Sequence, residues 1–366
     1  PAVPLLGVLL PVGISFYTFQ AIGYTVDVYR GSVSAEQRFW RYLLFISFFP
    51  QLVAGPIERS GNILPQLQLP ARFSYERAKS GLVLMLWGYI QKMVVADRLA
   101  LLADTVYAQG GALGGWATAT ATVLFCFELY CDFSSYTDIA RGAARILGVE
   151  LMENFRSPFL SQSVAEFWRN WHISLSSFFR DYLYIPLGGS RRGLARTCVN
   201  TMVVFLCSGL WHGAAIRFVL WGTLHGVALA LHKLWMALVP GAKATGAQMH
   251  WWSRAAGMLL TFNIVCLGWL MFRAESMQTV SLMLHQIFEN FNAAMIPQVV
   301  TGYAAVFALI AAGYILHLLP SAVDAVAQRI VVHAPLVLQV LMAAAMIWCV
   351  MQIKSSDIQP FIYFQF

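Results

Sequence analysis

Two histidines, each directly after a tryptophan, stand forty positions apart in this chain as Trp171-His172 and Trp211-His212. His212 ends an apolar segment, Met202 to Leu210, and no carboxylate lies near it in sequence. An ionisable side chain in such a run is a functional candidate, because burying it without a partner is costly. A neutral imidazole there could take a proton from a hydroxyl nucleophile and later return it to a leaving group. The competing reading is a histidine satisfied by a neighbouring helix.

His172 lies in the stretch Glu166-Phe167-Trp168-Arg169-Asn170-Trp171-His172, with Ser174 and Ser176 close behind. On a helix Trp168 and His172, four apart, share a face. The functional reading is a polar group that orients an acyl carbonyl or stabilises charge on it; an interfacial aromatic belt explains the same residues. His225, in Trp221-Gly222-Thr223-Leu224-His225-Gly226, follows His212 by thirteen positions and is expected near the same depth, as a supporting or a packing histidine. Asp132 and Asp138 are expected to form structural ion pairs with Arg141 or Arg145. The turn Gly188-Gly189-Ser190-Arg191-Arg192-Gly193 could wrap a phosphate through backbone amides and arginines, or serve as a basic surface turn.

Positioning such groups falls to a membrane scaffold. The chain is 59% hydrophobic and 11% charged, against about 25% charged in ordinary soluble domains. Several apolar runs approach the roughly 20 residues a helix needs to cross hydrocarbon. The net charge of +7 is gathered in short connections between runs, the pattern of membrane loops rather than of nucleic-acid binding. The six cysteines show no metal-ligand spacing, so no metal site is expected. The chain begins at Pro1 inside an apolar run, which suggests that N-terminal membrane segments precede it.

Apolar runs fall at residues 3–28, 39–56, 82–95, 116–130, 197–211, 216–238, 255–272, 300–319 and 333–352. The second is short and broken by Pro50, Gly55 and Pro56, which marks a bent or re-entrant element. If it spans, the basic connections 57–80, 131–196 and 232–254 share the cytoplasmic side; if it is re-entrant, the assignment inverts. Asp97, Arg98 and Asp104 read as a surface segment. The region 131–196 changes character: arginine-rich and aromatic, it is expected to hold interfacial or re-entrant helices carrying the active site. The whole of 1–366 reads as one membrane domain.

The motifs Pro11-Val12-Gly13-Ile14-Ser15-Phe16-Tyr17, Phe49-Pro50-Gln51-Leu52-Val53-Ala54-Gly55-Pro56 and Asp132-Phe133-Ser134 stand in order before the Glu166 to Gly189 stretch. Trp211-His212-Gly213, Leu224-His225-Gly226 and the terminal Tyr363-Phe364-Gln365-Phe366 follow it. This ordered set resembles the membrane-bound O-acyltransferase (MBOAT) family, and within it the bacterial branch that serves alginate O-acetylation. The resemblance implies an all-α polytopic membrane protein, a multi-helix bundle with re-entrant or interfacial helices around a central acyl-transfer chamber.

It further implies an O-acyltransferase of the bacterial inner membrane. An acetyl group would pass from a cytoplasmic thioester such as acetyl-CoA towards an exopolysaccharide such as alginate, with periplasmic partner proteins and no tightly bound cofactor. His212 matches the principal catalytic histidine and His172 the second active-site position. Asn170, Trp171, Trp211 and His225 stand as supporting residues, and Arg180, Arg191 and Arg192 as holders of the donor's phosphates. D-alanyl transfer to teichoic acid and peptidoglycan O-acetylation are alternatives on the same fold. A proton-coupled transporter or flippase is the alternative from another class, disfavoured because no paired broken helices in related halves are visible.

Overall fold

Backbone in lipid must satisfy its own polar groups, so the apolar runs fold as helices. The structure, a computed structural model, describes residues 13–70, 72–109, 112–239, 250–305, 307–308, 311–312, 315, 321–352 and 361. Every regular element among them is helical. Pro11, Val12, much of the run 300–319 and the terminal Tyr363 to Phe366 motif lie outside the described residues.

The longest packed unit joins α4 (Tyr75–Ile90), a π-helical turn (Gln91–Ala96) and α5 (Asp97–Tyr107) against α6 (Gly115–Ile146). The two strings run antiparallel and their backbones meet at Gly81 and Gly142. A Cβ on Gly81 would lie 2.6 Å from the Gly142 carbonyl oxygen, so only small residues allow this approach. The 32 residues of α6 reach about 48 Å at 1.5 Å per residue. The run expected to end near Tyr130 therefore continues as helix to Ile146, so the start of the region 131–196 belongs to α6.

Partners supplied by α4 and its π turn explain the difference. The Lys92 amine bonds Asp132, and also Asp97 at 2.9 Å. Ser134 Oγ donates to Gln91 Oε1 at 2.9 Å, and Gln91 Nε2 donates to Asp138. Asp132 thus pairs with a lysine forty positions upstream. Asp138 does pair with Arg141, at 3.4 Å, whereas Arg145 bonds Glu150. Asp97, Arg98 and Asp104 belong to α5, where Asp104 accepts from Arg273 rather than facing solvent alone.

Before this unit come α1 (Ile14–Tyr29), α2 (Phe39–Ile46) and α3 (Ser60–Gln68). At eight residues, or about 12 Å, α2 cannot cross a bilayer. A polar seam does run along α1: Gln20 is buried and Asp27 accepts from the Tyr182 hydroxyl at 2.7 Å. After α6, the short helices α7 (Val164–Asn170) and α8 (Ile173–Phe179) and a π turn (Arg180–Tyr184) replace spanning elements.

Long helices then resume with α9 (Gly193–His212), α10 (Ile216–Leu238) and α11 (Trp251–Arg273). Among the described residues, α9 and α11 are single helices long and apolar enough to cross a membrane. Outward residues such as Leu210, Leu259 and Leu260 are exposed, as lipid-facing positions must be. The chain continues through α12 (Met277–Glu289), α13 (Ile296–Gly302), α14 (Ser321–His333) and α15 (Leu336–Gln352), the last two meeting at a bend of 116°.

Candidate active site

His212 is the last residue of α9, and three residues connect it to α10. The two helices form a tight hairpin because Gly209 and Gly222 face each other. A Cβ on Gly209 would lie 2.3 Å from the Phe218 carbonyl oxygen, and one on Gly222 2.3 Å from that of Phe205. The hairpin delivers the imidazole into an aromatic frame. Its ring stands edge-on to Trp221 at 5.1 Å and to Phe272 of α11 at 5.0 Å, with Trp211 at 4.7 Å.

His172 arrives by a different device. Ser163 caps α7 by accepting from Glu166 N, while the Glu166 carboxylate accepts from Gln162 N, a reciprocal cap that fixes where α7 starts. The helix ends at Asn170, Trp171 is extended, and His172 takes a left-handed backbone (φ 44, ψ 55) before α8 begins. Trp168 and His172 are therefore not on one helical face, as their spacing predicts; the chain breaks between them and both still reach the same space.

The side chain of His172 is held from behind by buried Asn154, whose Oδ1 lies 3.2 Å from Nδ1. The ring packs edge-on to Phe133 at 4.8 Å and stacks with Phe16.

Both histidines line one cavity of about 110 Å³, enclosed by Ser15, Leu129, Phe133, Trp168, Trp171, Leu175, Trp211, Trp221, Trp269 and Phe272. These come from α1 and from every helix between α6 and α11, so the whole central bundle contributes. The walls are apolar, and the two imidazoles are the ionisable groups in the lining. The indole N–H groups of Trp221 and Trp269 are buried and meet no hydrogen-bond partner among the described residues. A low-dielectric chamber with unpaired donors and two imidazoles can polarise a carbonyl and receive a proton.

Residues 33–267, more than half of the chain and including both histidines, match the family described as MBOAT, membrane-bound O-acyltransferase. The chain belongs to this family. It is 39% identical over 77% of its length to a probable alginate O-acetylase of Pseudomonas syringae pv. tomato, covering 52% of that protein. It is 34% identical to the peptidoglycan O-acetyltransferase of Helicobacter pylori over 75% of its length and 56% of the relative. To the teichoic acid D-alanyltransferase of Streptococcus thermophilus it is 28% identical, over 71% of its length and 68% of the relative. The chain spans about half the length of the alginate relatives it matches.

Around this MBOAT chamber the remaining sequence candidates separate. Trp171 and Trp211 line it. Asn170 does not: its side chain donates to Ser161 at 3.3 Å. His225 sits behind the wall, fully buried, its Nδ1 accepting from Trp168 Nε1 at 3.3 Å and its Nε2 against Gly268. It lies about 13 Å along α10 from the turn, so it does not share the depth of His212.

Arg191 and Arg192 flank the start of α9 and His212 ends it, which separates them by about 30 Å of helix. Their turn is pinned by Asn200, which donates to Gly189 O at 3.0 Å. Arg180 is exposed and bonds its neighbour Asp181. None of the three arginines lines the chamber. Asn154, a single polar residue in an irregular stretch, carries no periodicity that would single it out, and the unpaired indoles of Trp221 and Trp269 are invisible without the fold.

Proposed function

We propose that this chain carries the acyl-transfer centre of a membrane O-acetyltransferase of the bacterial inner membrane, acting in O-acetylation of an exopolysaccharide of the alginate type. The observation that carries this reading is the pair His172 and His212 in one apolar cavity of a chain that belongs to the MBOAT family. The name of its alginate relatives supports the acceptor class.

His212, with no carboxylate in its aromatic frame, takes the proton of the acceptor hydroxyl as the hydroxyl oxygen attacks the thioester carbonyl. The carbon–sulfur bond then breaks, and the proton is returned to the leaving thiolate. The unpaired indole N–H groups of Trp221 and Trp269 supply donors for the carbonyl oxygen as it gains charge. Acetyl-CoA is the proposed donor, with Arg180, Arg191 and Arg192 as the candidates for holding its phosphates. Partner proteins on the far side of the membrane relay the acetyl group to the polymer. The peptidoglycan and teichoic acid relatives define the alternative acceptors.

The test is to incubate purified protein in bilayers with labelled acetyl-CoA and candidate acceptors. Wild type should form acetylated product, and His212→Ala should lose about 10²- to 10⁴-fold in rate at unchanged membrane abundance. Full activity in that variant would sink the assignment. Mass spectrometry of the envelope of a deletion strain identifies the acceptor.

A further inference from the structure

We infer that Asn154 is a positioning residue that fixes His172 as a hydrogen-bond acceptor towards the substrate; the inference rests on the transferase reading above. Asn154 is fully buried between α6 and α7, and its amide orientation is decided by one backbone group. The Ser174 N–H, which can only donate, points at Oδ1 from 3.1 Å. A reversed amide would set two donors against each other, so the atom at that position is the oxygen. The same Oδ1 accepts from Ser174 Oγ at 2.9 Å and lies 3.2 Å from His172 Nδ1. Ser174 Oγ also lies 3.4 Å from Nδ1, but its hydrogen goes to the nearer Oδ1; two lone pairs facing each other between Oδ1 and Nδ1 would repel, so Nδ1 carries the hydrogen and donates it. Asn154 also grips the backbone of the turn, its carbonyl accepting from Ile173 N at 2.9 Å.

A neutral imidazole has one N–H. With it committed to Asn154, Nε2 holds a lone pair. Nε2 is buried and meets no hydrogen-bond partner among the described residues, while the ring lines the cavity that Asn154 itself does not reach. Any partner of Nε2 must therefore have a hydrogen to give, and we assign that partner to an O–H or N–H of a substrate in the cavity. A carbonyl oxygen has none, which removes His172 from oxyanion stabilisation and leaves that task to the indole N–H groups. The donating group belongs either to the acceptor molecule, beside its reacting hydroxyl, or to the amide-bearing arm of the thioester.

The first test reads the tautomer without any activity. Nitrogen-15 spectra of histidine-labelled protein in bilayers, with His172 assigned by difference from His172→Gln, should show a protonated Nδ1 and a bare Nε2. A protonated Nε2 overturns the inference.

The second test is kinetic. Asn154→Leu should lower kcat/KM about 10- to 100-fold, and Asn154→Leu/His172→Gln should be no slower than His172→Gln. Asn154→Asp, which keeps an acceptor oxygen, should retain most of the activity. Additive losses, or an Asn154→Asp variant as slow as Asn154→Leu, overturn it. A rise in KM for the acceptor alone assigns the hydrogen to the acceptor, and a rise for the donor alone assigns it to the thioester arm; either supports the inference. If wild type transfers no acetyl group at all, the transferase reading fails while the nitrogen spectrum still decides the tautomer. If Asn154→Leu fails to reach the membrane, that spectrum and Asn154→Asp suffice.

Discussion

The indole N–H of Trp168 donates to Nδ1 of His225 at 3.3 Å, with the two rings at 88° and their centroids 5.0 Å apart. The bond ties α7 to α10 immediately behind the cavity, since Trp168 is part of its lining and His225 is not. It makes His225 a support for the wall rather than a participant in transfer.

Trp168→Phe removes the donor and leaves Nδ1 of His225 buried without a partner. The expected cost is about 1–3 kcal/mol, read as a lower Tm of the detergent-solubilised protein. Adding His225→Leu should recover part of the loss, because no polar atom is then left unpaired. An unchanged Tm in the single variant would show that the bond contributes nothing.

Trp269→Phe separates chemistry from stability. The indole N–H of Trp269 has no partner among the described residues, so deleting it breaks no hydrogen bond of the resting protein. If it serves the carbonyl oxygen, kcat should fall about 10²-fold with little change in thermal stability. Equal kcat for variant and wild type would remove Trp269 from the reaction.

Lys92 joins Asp132 and Asp97 within the α4–α6 unit, and the ring of Phe361 lies 4.7 Å from its amine. Lys92→Met removes the cation that Asp132 and Asp97 share inside the bundle, and breaking a buried pair in this way costs about 3–5 kcal/mol. Folded yield from membranes should drop sharply, and Lys92→Met/Asp132→Asn should restore part of it. Normal yield of the single variant would contradict the structural role.

Glu58, in the link between α2 and α3, is only 2% exposed. Burial raises its carboxyl above the ordinary 4.5, a rise opposed by hydrogen bonds from Asn62 and from the Met152 amide. The sign follows directly. The native state keeps this proton to higher pH than the unfolded chain, so its contribution to stability is present below 4.5 and is lost as pH rises through the raised value. Glu58→Gln carries no such titration, and its stability measured against pH should lack that decline. Parallel pH curves for variant and wild type would refute it.

The membrane class and the helical runs on either side of His212 were legible in the chain, because apolar run length announces helices; the weight on His212 came from the family resemblance, since position alone fits a packed histidine equally well. The extent of α6 was not legible, because Asp132 and Ser134 read as a helix end until Lys92 and Gln91, some forty residues upstream, supply their partners. The break at His172 escaped for another reason. Spacing four suggests a shared helical face, but a single left-handed residue cancels that geometry and leaves no mark on hydropathy. Asn170 looked the better polar neighbour because it adjoins Trp171, whereas Asn154 reaches His172 only through the fold.

The left-handed backbone at His172 also limits what could ever stand there. Most side chains with a branched or bulky Cβ resist a φ of 44, whereas Asn, Asp, Gly and His accept it most readily. Of these, glycine brings no polar atom to the chamber, and aspartate would bring an unneutralised charge between Phe133 and Phe16. Asparagine alone remains as a substitute that could present a neutral polar group from the same turn. The turn thus narrows the chemistry open to variation at this wall to two residue types, before any substrate has selected between them.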